Sequence, residues 1–260
     1  MENYQEGDFN KNAVNQLINK DEYAIVAPLA QATHIVIDQK FDCPELLCCE
    51  IANQYKIYQS NSEFQYDENQ QPIAVWDEES SFLCRCFCRM ARSFKGELKI
   101  QDKKASLVEA PYKCHNPIPC CSCLCARPTI QVANQNNELI GSLQMPCWCF
   151  FKGWGNFDIM ELRVLDKSGN LKYLIHSTCC QKSVCCLPLQ CLGCEKIKYD
   201  IKNTAKQVVG NIYNIYSGCC KEVCTSADKF GVAFPDNDEP HNKLLLTQAA
   251  IWLDYLQYMA

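Results

Sequence analysis

The sequence predicts a mainly β protein with one helix at its C-terminal end. From about residue 30 to residue 235, short runs of alternating apolar and polar residues are separated by turn residues, as in an antiparallel sandwich or barrel. The turns "ANQNNEL" (133–139) and "LDKSGNL" (165–171) supply Asn and Gly residues that tolerate positive φ between paired strands. After "PDNDEPHNK" the period changes. There "LLLTQAAIWLDYLQYMA" (244–260) has neither Gly nor Pro over a length of several helical turns.

Taken in order, residues 1–30 are polar, Asn-rich and weakly helical, with Pro28 closing a lead-in to a domain expected over 31–260. Strands are expected at 33–37, 54–58, 72–76, 97–101, 129–133 and 139–144, and then at 157–165, 171–176, 196–201, 207–213 and 230–234. A final helix is expected over 242–260. It is apolar almost all round, so something must enclose it. A membrane-spanning helix needs about 20 largely apolar residues. This one carries Thr247, Gln248, Asp254 and Gln257, so burial in protein is the better reading. No period of 20 to 50 residues repeats, which argues against propellers and solenoids.

The 260 residues are 48% hydrophobic, enough for a sizeable core without covalent staples. A net charge of −5, with no run of basic residues, gives no attraction to nucleic acid. Cysteine is the outlier, at 22 residues. The start "MENYQEGDFNKNAVNQ" has neither the basic beginning nor the apolar core of a signal peptide, and Glu2 stands where myristoylation needs glycine. A chain kept among reduced thiols is expected to hold its cysteines free, acylated or metal-bound rather than paired in structural disulfides.

Four segments resemble the phospholipid scramblase family. They are "HIVIDQKFDCPELLCCEIANQYKIY" (34–58), "CRMARSFKGELKIQD" (88–102), "KCHNPIPCCSCLCARPTIQV" (113–132) and "VVGNIYNIYSGCCKEVCTSADKFGVAFPDND" (208–238), followed by the final helix. The resemblance covers about 33–260. It implies a closed antiparallel tubby-like β-barrel around a central C-terminal hydrophobic helix. It also implies a lipid-transport rather than covalently catalytic role: calcium-triggered, ATP-independent, bidirectional movement of phospholipids between leaflets. The expected place is the cytoplasmic face of a cellular membrane, the plasma membrane above all. The expected partners are membrane phospholipids and the membrane surface, with a homo-oligomer or protein partners beside them. A tubby-like interaction module that docks without moving lipid is the alternative.

The candidate site residues fall into three groups. In "PCCSCLCARP" the cysteines Cys120, Cys121, Cys123 and Cys125 are the family's counterpart of an S-palmitoylated segment, and clustered acyl chains meet the need for more than one anchor. Zinc is a competing reading, because Cys114, His115, Cys191 and Cys194 have ligand chemistry, and so is plain packing of small apolar thiols. "MPCWCFFKGW" (145–154) offers Trp148, Phe150, Phe151 and Trp154 for membrane contact, or else forms a core strand. The family's proposed calcium loop aligns with 226–237 and implicates Asp228, Asp236 and Asp238. Its ligand positions here include Ser226, Phe230, Phe234 and Asn237, so any calcium site is expected to be weak, and a strand running into a capped helix is the competing reading. His34, His115, His176 and His241 lie in no triad-like context, and no Gly-rich phosphate loop occurs.

Overall fold

The computed structural model describes residues 23–40, 52–67, 69–80, 93–110, 129–145, 158–178, 196–215 and 229–257. Twelve antiparallel strands follow one another around a closed barrel. They are β1 (His34–Gln39), β2 (Gln54–Gln59), β3 (Ala74–Glu79), β4 (Phe94–Ile100), β5 (Lys103–Ala110) and β6 (Thr129–Asn134), then β7 (Leu139–Gln144), β8 (Asp158–Asp166), β9 (Leu171–Thr178), β10 (Lys196–Lys202), β11 (Val208–Ile215) and β12 (Lys229–Ala233). Each strand pairs with its neighbours in sequence, and β12 returns to β1 with Ala233 opposite His34 and Lys229 opposite Asp38. Closure leaves no sheet edge unpaired.

Each expected strand has a counterpart, and one strand was not expected. The run at 97–101 is the end of β4, and β5 follows after a two-residue turn in which Gln101 and Asp102 both have positive φ, at 51° and 61°. That is the type I′ conformation matched to strand twist.

The interior is built by strand alternation. Ile35, Ile37, Tyr55, Ile57, Trp76, Leu98, Ile100, Leu143, Leu162, Ile175, Tyr199, Ile201, Ile212 and Phe230 point inward and are almost wholly buried. Down the axis runs the helix of Pro240–Gln257. Leu244, Leu245, Leu246, Ala249, Ala250, Ile251, Trp252, Leu253 and Tyr255 bury its whole circumference. The dimensions agree. Twelve tilted strands about 4.8 Å apart make a backbone cylinder about 23 Å across, which leaves room for one helix and its side chains.

A shorter helix, α1, covers residues 23–31, and the axial helix is α2. Helix α1 runs through Pro28 rather than ending there, and Val26 and Leu29 belong to the core. Lys243 of α2 holds it in place, its Nζ donating to the carbonyls of Ala30 (2.6 Å) and Ala32 (2.7 Å) above the Phe234 ring.

Antiparallel order gives the barrel two unlike rims. Short hairpins join even strands to the next odd strand at one rim, where α1 ends and α2 begins. Odd strands pass to the next even strand at the opposite rim, and α2 ends there.

Candidate functional site

Helix α2 is fixed to the wall by polar contacts along its length. At its start Pro240 follows Glu239, whose carbonyl accepts from Asn242 N and Lys243 N, so proline occupies the first helical position where its missing N–H costs nothing. Asp238 Oδ1 accepts from Tyr173 OH at 2.8 Å, Asn242 Nδ2 at 2.7 Å and Glu239 N at 3.0 Å. Halfway along, Gln248 accepts from Trp76 Nε1 (3.0 Å) and donates to Ser106 Oγ (2.9 Å). Both bonds are buried, so each protects a polar group that would otherwise stay desolvated and unpaired.

The far end of α2 enters a buried polar network. Tyr255 OH donates to Glu78 Oε2 at 2.7 Å and accepts from Asn53 Nδ2 at 3.0 Å, while Asn53 Oδ1 accepts from Gln39 Nε2 at 2.9 Å. Tyr55 OH donates to Asp254 Oδ2. Burial, then the Asp254 charge, pushes the Tyr55 phenol well above its ordinary pKa. Phe94 stacks on Tyr255 with centroids 4.5 Å apart. Of this set only Asp254 was singled out from sequence. The signal for two others was phase: Gln39 continues the inward series of Ile35 and Ile37, and Glu78 that of Ala74 and Trp76.

Outside the wall, residues 60–67 fold back over β1, β12 and β11. Phe64, at φ 61°, lies against Gly231, where a Cβ would stand 2.5 Å from its ring, and it also packs against Tyr213 and His34. Tyr66 stacks on Tyr58 at 4.5 Å, donates to Asp38 Oδ2 at 2.9 Å and accepts from Lys229 Nζ at 3.1 Å.

The candidate residues named from sequence are distributed as follows. Cys120, Cys121, Cys123 and Cys125 lie outside the described residues, between β5 and β6, as do Cys114 and His115, while Cys191 and Cys194 lie outside them between β9 and β10. Trp148, Phe150, Phe151 and Trp154 also lie outside them, between β7 and β8. Asp228 lies outside them too, immediately before Lys229, which opens β12. Asp236 and Asp238 follow the other end of that strand, Asp236 exposed and Asp238 engaged by Tyr173 and Asn242. Strand β12 thus occupies the middle of the aligned loop and separates Lys229 from the later pair. Among the described residues no group of three or more His, Cys, Asp or Glu side chains is placed to hold a metal ion. His176 faces outward with Nδ1 3.3 Å from Lys202 Nζ.

Neither wall nor bore of the described barrel suits lipid. Outward positions carry Asp38, Lys56, Asp77, Lys99, Arg163 and Lys198, with ion pairs such as Lys99–Asp77 at 3.2 Å. A barrel that crosses a membrane presents the reverse, an apolar outer band. Among the described residues no helix is long and apolar enough to cross a membrane.

A protein-family model described as Scramblase matches residues 12–260 of the chain. Human phospholipid scramblase 2 is 26% identical over 238 residues, covering 88% of this chain and 68% of that protein. No solved structure matches.

Proposed function

Because the chain belongs to the scramblase family, whose model matches nearly its whole length, we propose that it promotes ATP-independent, bidirectional movement of phospholipids between the leaflets of a membrane. The match over residues 12–260 is the observation that carries this reading. The protein works at the cytoplasmic face of a cellular membrane, the plasma membrane being the favoured one. It is held there by thioester-linked palmitate on Cys120, Cys121, Cys123 and Cys125, because several acyl chains give stable anchoring where one does not. The activity is movement of lipid, not covalent chemistry. Trp148, Phe150, Phe151 and Trp154 supply apolar and interfacial contacts beside the anchors. Calcium acts as a weak trigger through the carboxylates Asp228, Asp236 and Asp238. The spacing of the last two from the start of β12 favours two separate contact points over one chelating loop.

Reconstitution of the full chain into vesicles with fluorescently labelled phospholipid tests the reading. Calcium-stimulated loss of leaflet asymmetry is expected, scaling with protein-to-lipid ratio. No transfer at any ratio, with or without calcium, overturns it.

A second reading has its own support in the filled bore, which leaves no route for a headgroup through the described barrel. On that reading the protein is a membrane-docked interaction module, and its lipid effect requires an oligomer or a partner. Binding to vesicles without transfer is the outcome that selects it.

A further inference from the structure

Strand alternation alone would bury Leu139, Leu171 and Val208, which share their phase with the inward residues Leu143, Ile175 and Ile212. A bulge intervenes just before the rim in each of their hairpins, between Val132 and Ala133, Val164 and Leu165, and Ile201 and Lys202. The shift pairs Leu139 with Ala133, Leu171 with Leu165 and Val208 with Lys202, the outward neighbours of buried Val132, Val164 and Ile201. The three side chains are 43%, 39% and 50% exposed, and among the described residues only Tyr23 joins them as an exposed large hydrophobic. One exposed leucine needs no explanation, but the same position in three adjacent hairpins does. The β4–β5 hairpin also has a bulge, yet its second strand opens with Lys103, and the loop ending at Gln65 is followed by Tyr66, which stacks on Tyr58.

Charge marks the same sector. Lys167, Lys172, Lys202 and Lys206 stand at this edge beside the apolar three. Its acids are engaged within their own turns: Glu138 accepts from Asn134 Nδ2 at 3.0 Å, and Asp166 from the backbone N–H groups of Ser168 and Asn170. Over residues 129–145, 161–178 and 197–215 Lys and Arg outnumber Asp and Glu six to four, whereas over the other described residues the acids lead thirteen to eight. Lys206 even holds its cation at φ 63°, where glycine would be the relaxed choice. Apolar side chains flanked by lysines match an anionic lipid interface, with the alkyl groups at the acyl boundary and the ammonium groups among phosphates.

Shape selects the same partner. The exposed residues open β7, β9 and β11, which are alternate strands, so neighbours lie about 10 Å apart. Together they take in a third of the ring, and on a cylinder about 23 Å across the middle hairpin then stands about 6 Å proud of its flanks. A straight helix cannot follow that step, and strand addition is closed off because β6 to β11 are paired on both sides. A fluid interface, which admits apolar groups to about 5–10 Å, can follow it. We propose that the hairpins β6–β7, β8–β9 and β10–β11 dock the barrel on an anionic lipid surface, with Leu171 deepest and Leu139 and Val208 to either side. Lys167, Lys172, Lys202 and Lys206 meet the phosphates. The barrel touches headgroups at this edge without crossing the bilayer. The inference rests on the membrane association proposed above, names the face that makes it, and is independent of acylation, calcium and lipid movement.

The full chain from a eukaryotic host, before and after neutral hydroxylamine has cleaved its thioesters, is cosedimented with vesicles of phosphatidylcholine alone or with phosphatidylserine. After cleavage the wild type is expected to bind the phosphatidylserine vesicles several-fold better, and less well as salt rises. Leu139→Ser, Leu171→Ser and Val208→Ser combined should weaken that binding several-fold with a near-wild-type thermal midpoint. Lys167→Gln, Lys172→Gln and Lys206→Gln combined should remove the preference for phosphatidylserine. As a second readout, azidophenylalanine replaces Ser168, Thr204, Lys56 or Glu63 and carries a dye, while the vesicles carry a headgroup nitroxide. Quenching should be several-fold stronger at 168 and 204 than at 56, on the far wall, or at 63, elsewhere on the same rim. Unchanged binding of both variants, equal quenching at the four sites, or binding lost entirely with the thioesters overturns this face and leaves membrane association standing. So does an apolar variant that keeps vesicle binding but loses a dimer in light scattering, which makes the sector an interface between copies. No cosedimentation of the wild type before or after cleavage overturns both.

Discussion

At the scale of single residues, the tightest constraint is the absence of a side chain at Gly96. A Cβ built there would stand 2.0 Å from the indole of Trp76, itself 1% exposed and tied to Gln248. The ring has no vacant space to move into, so Gly96→Ala should destabilise the protein by about 1–3 kcal/mol, the cost of overpacking a filled core. Urea midpoints measure it. The penalty should shrink in a Trp76→Phe background, because the two substitutions share one volume and are not additive. No local sequence signal announces this pair; β3 and β4 must first be placed side by side. The network of Gln39, Asn53, Glu78 and Tyr255 was hidden for the same reason, since Asn53 and Tyr255 lie 202 positions apart. Asp238 was legible as an acidic group before a helix, but its bond to Tyr173 was not.

At the scale of elements, one loop recurs four times. It runs from Asn61 to Gln65, Asn134 to Glu138, Asp166 to Asn170 and Asn203 to Gln207, and in each the first residue's backbone N–H bonds to the fifth residue's carbonyl. The first side chain accepts from the fifth backbone N–H in all four. The fourth residue always has positive φ: Phe64, Asn137, Gly169 and Lys206. This is a turn closed by a bulge, and the Asn or Asp that opens it uses its side chain as a local acceptor. Only at 169 is the fourth residue glycine. Lys206→Gly should therefore stabilise by about 0.5–1 kcal/mol, and Gly169→Ala, which meets no steric neighbour, should cost about 1 kcal/mol through φ alone. Thermal midpoints of the two variants should move in opposite directions. Two of these loops were legible because Asn and Gly advertise turns. The loops ending in Phe64 and Lys206 were less so. Strand β5 went unread because its two-residue turn is Gln-Asp rather than Asn-Gly and its sequence, "KKASLVEA", opens on two lysines.

At the scale of the molecule, wall and helix are clamped at both ends by phenols. Tyr55 reaches Asp254 near the end of α2, and Tyr173 reaches Asp238 just before its start. Burial raises both phenol pKa values, and the carboxylate partners raise them further. An unfolded tyrosine ionises near pH 10. The folded values lie higher, so the stability these groups contribute is complete below about pH 10 and declines as pH rises through that value. Denaturant midpoints should fall on the alkaline side of pH 10, and less steeply in Tyr55→Phe and Tyr173→Phe than in the wild type. The fold class and the buried helix were legible from period and composition. Closure of β12 onto β1 was not, since register between distant strands leaves no trace in local pattern.

That closure and the axial helix together set a schedule for biosynthesis. Strand β1 waits for a partner that the ribosome delivers some 190 residues later, and the inward faces of all twelve strands are finished before α2 exists to cover them. Nascent hairpins can pair locally as they emerge, yet their apolar faces stay wet until the last segment arrives. Folding therefore ends with the helix, and a chain stalled before residue 240 presents a trough of bare Ile, Val and Tyr side chains that only a chaperone can shield.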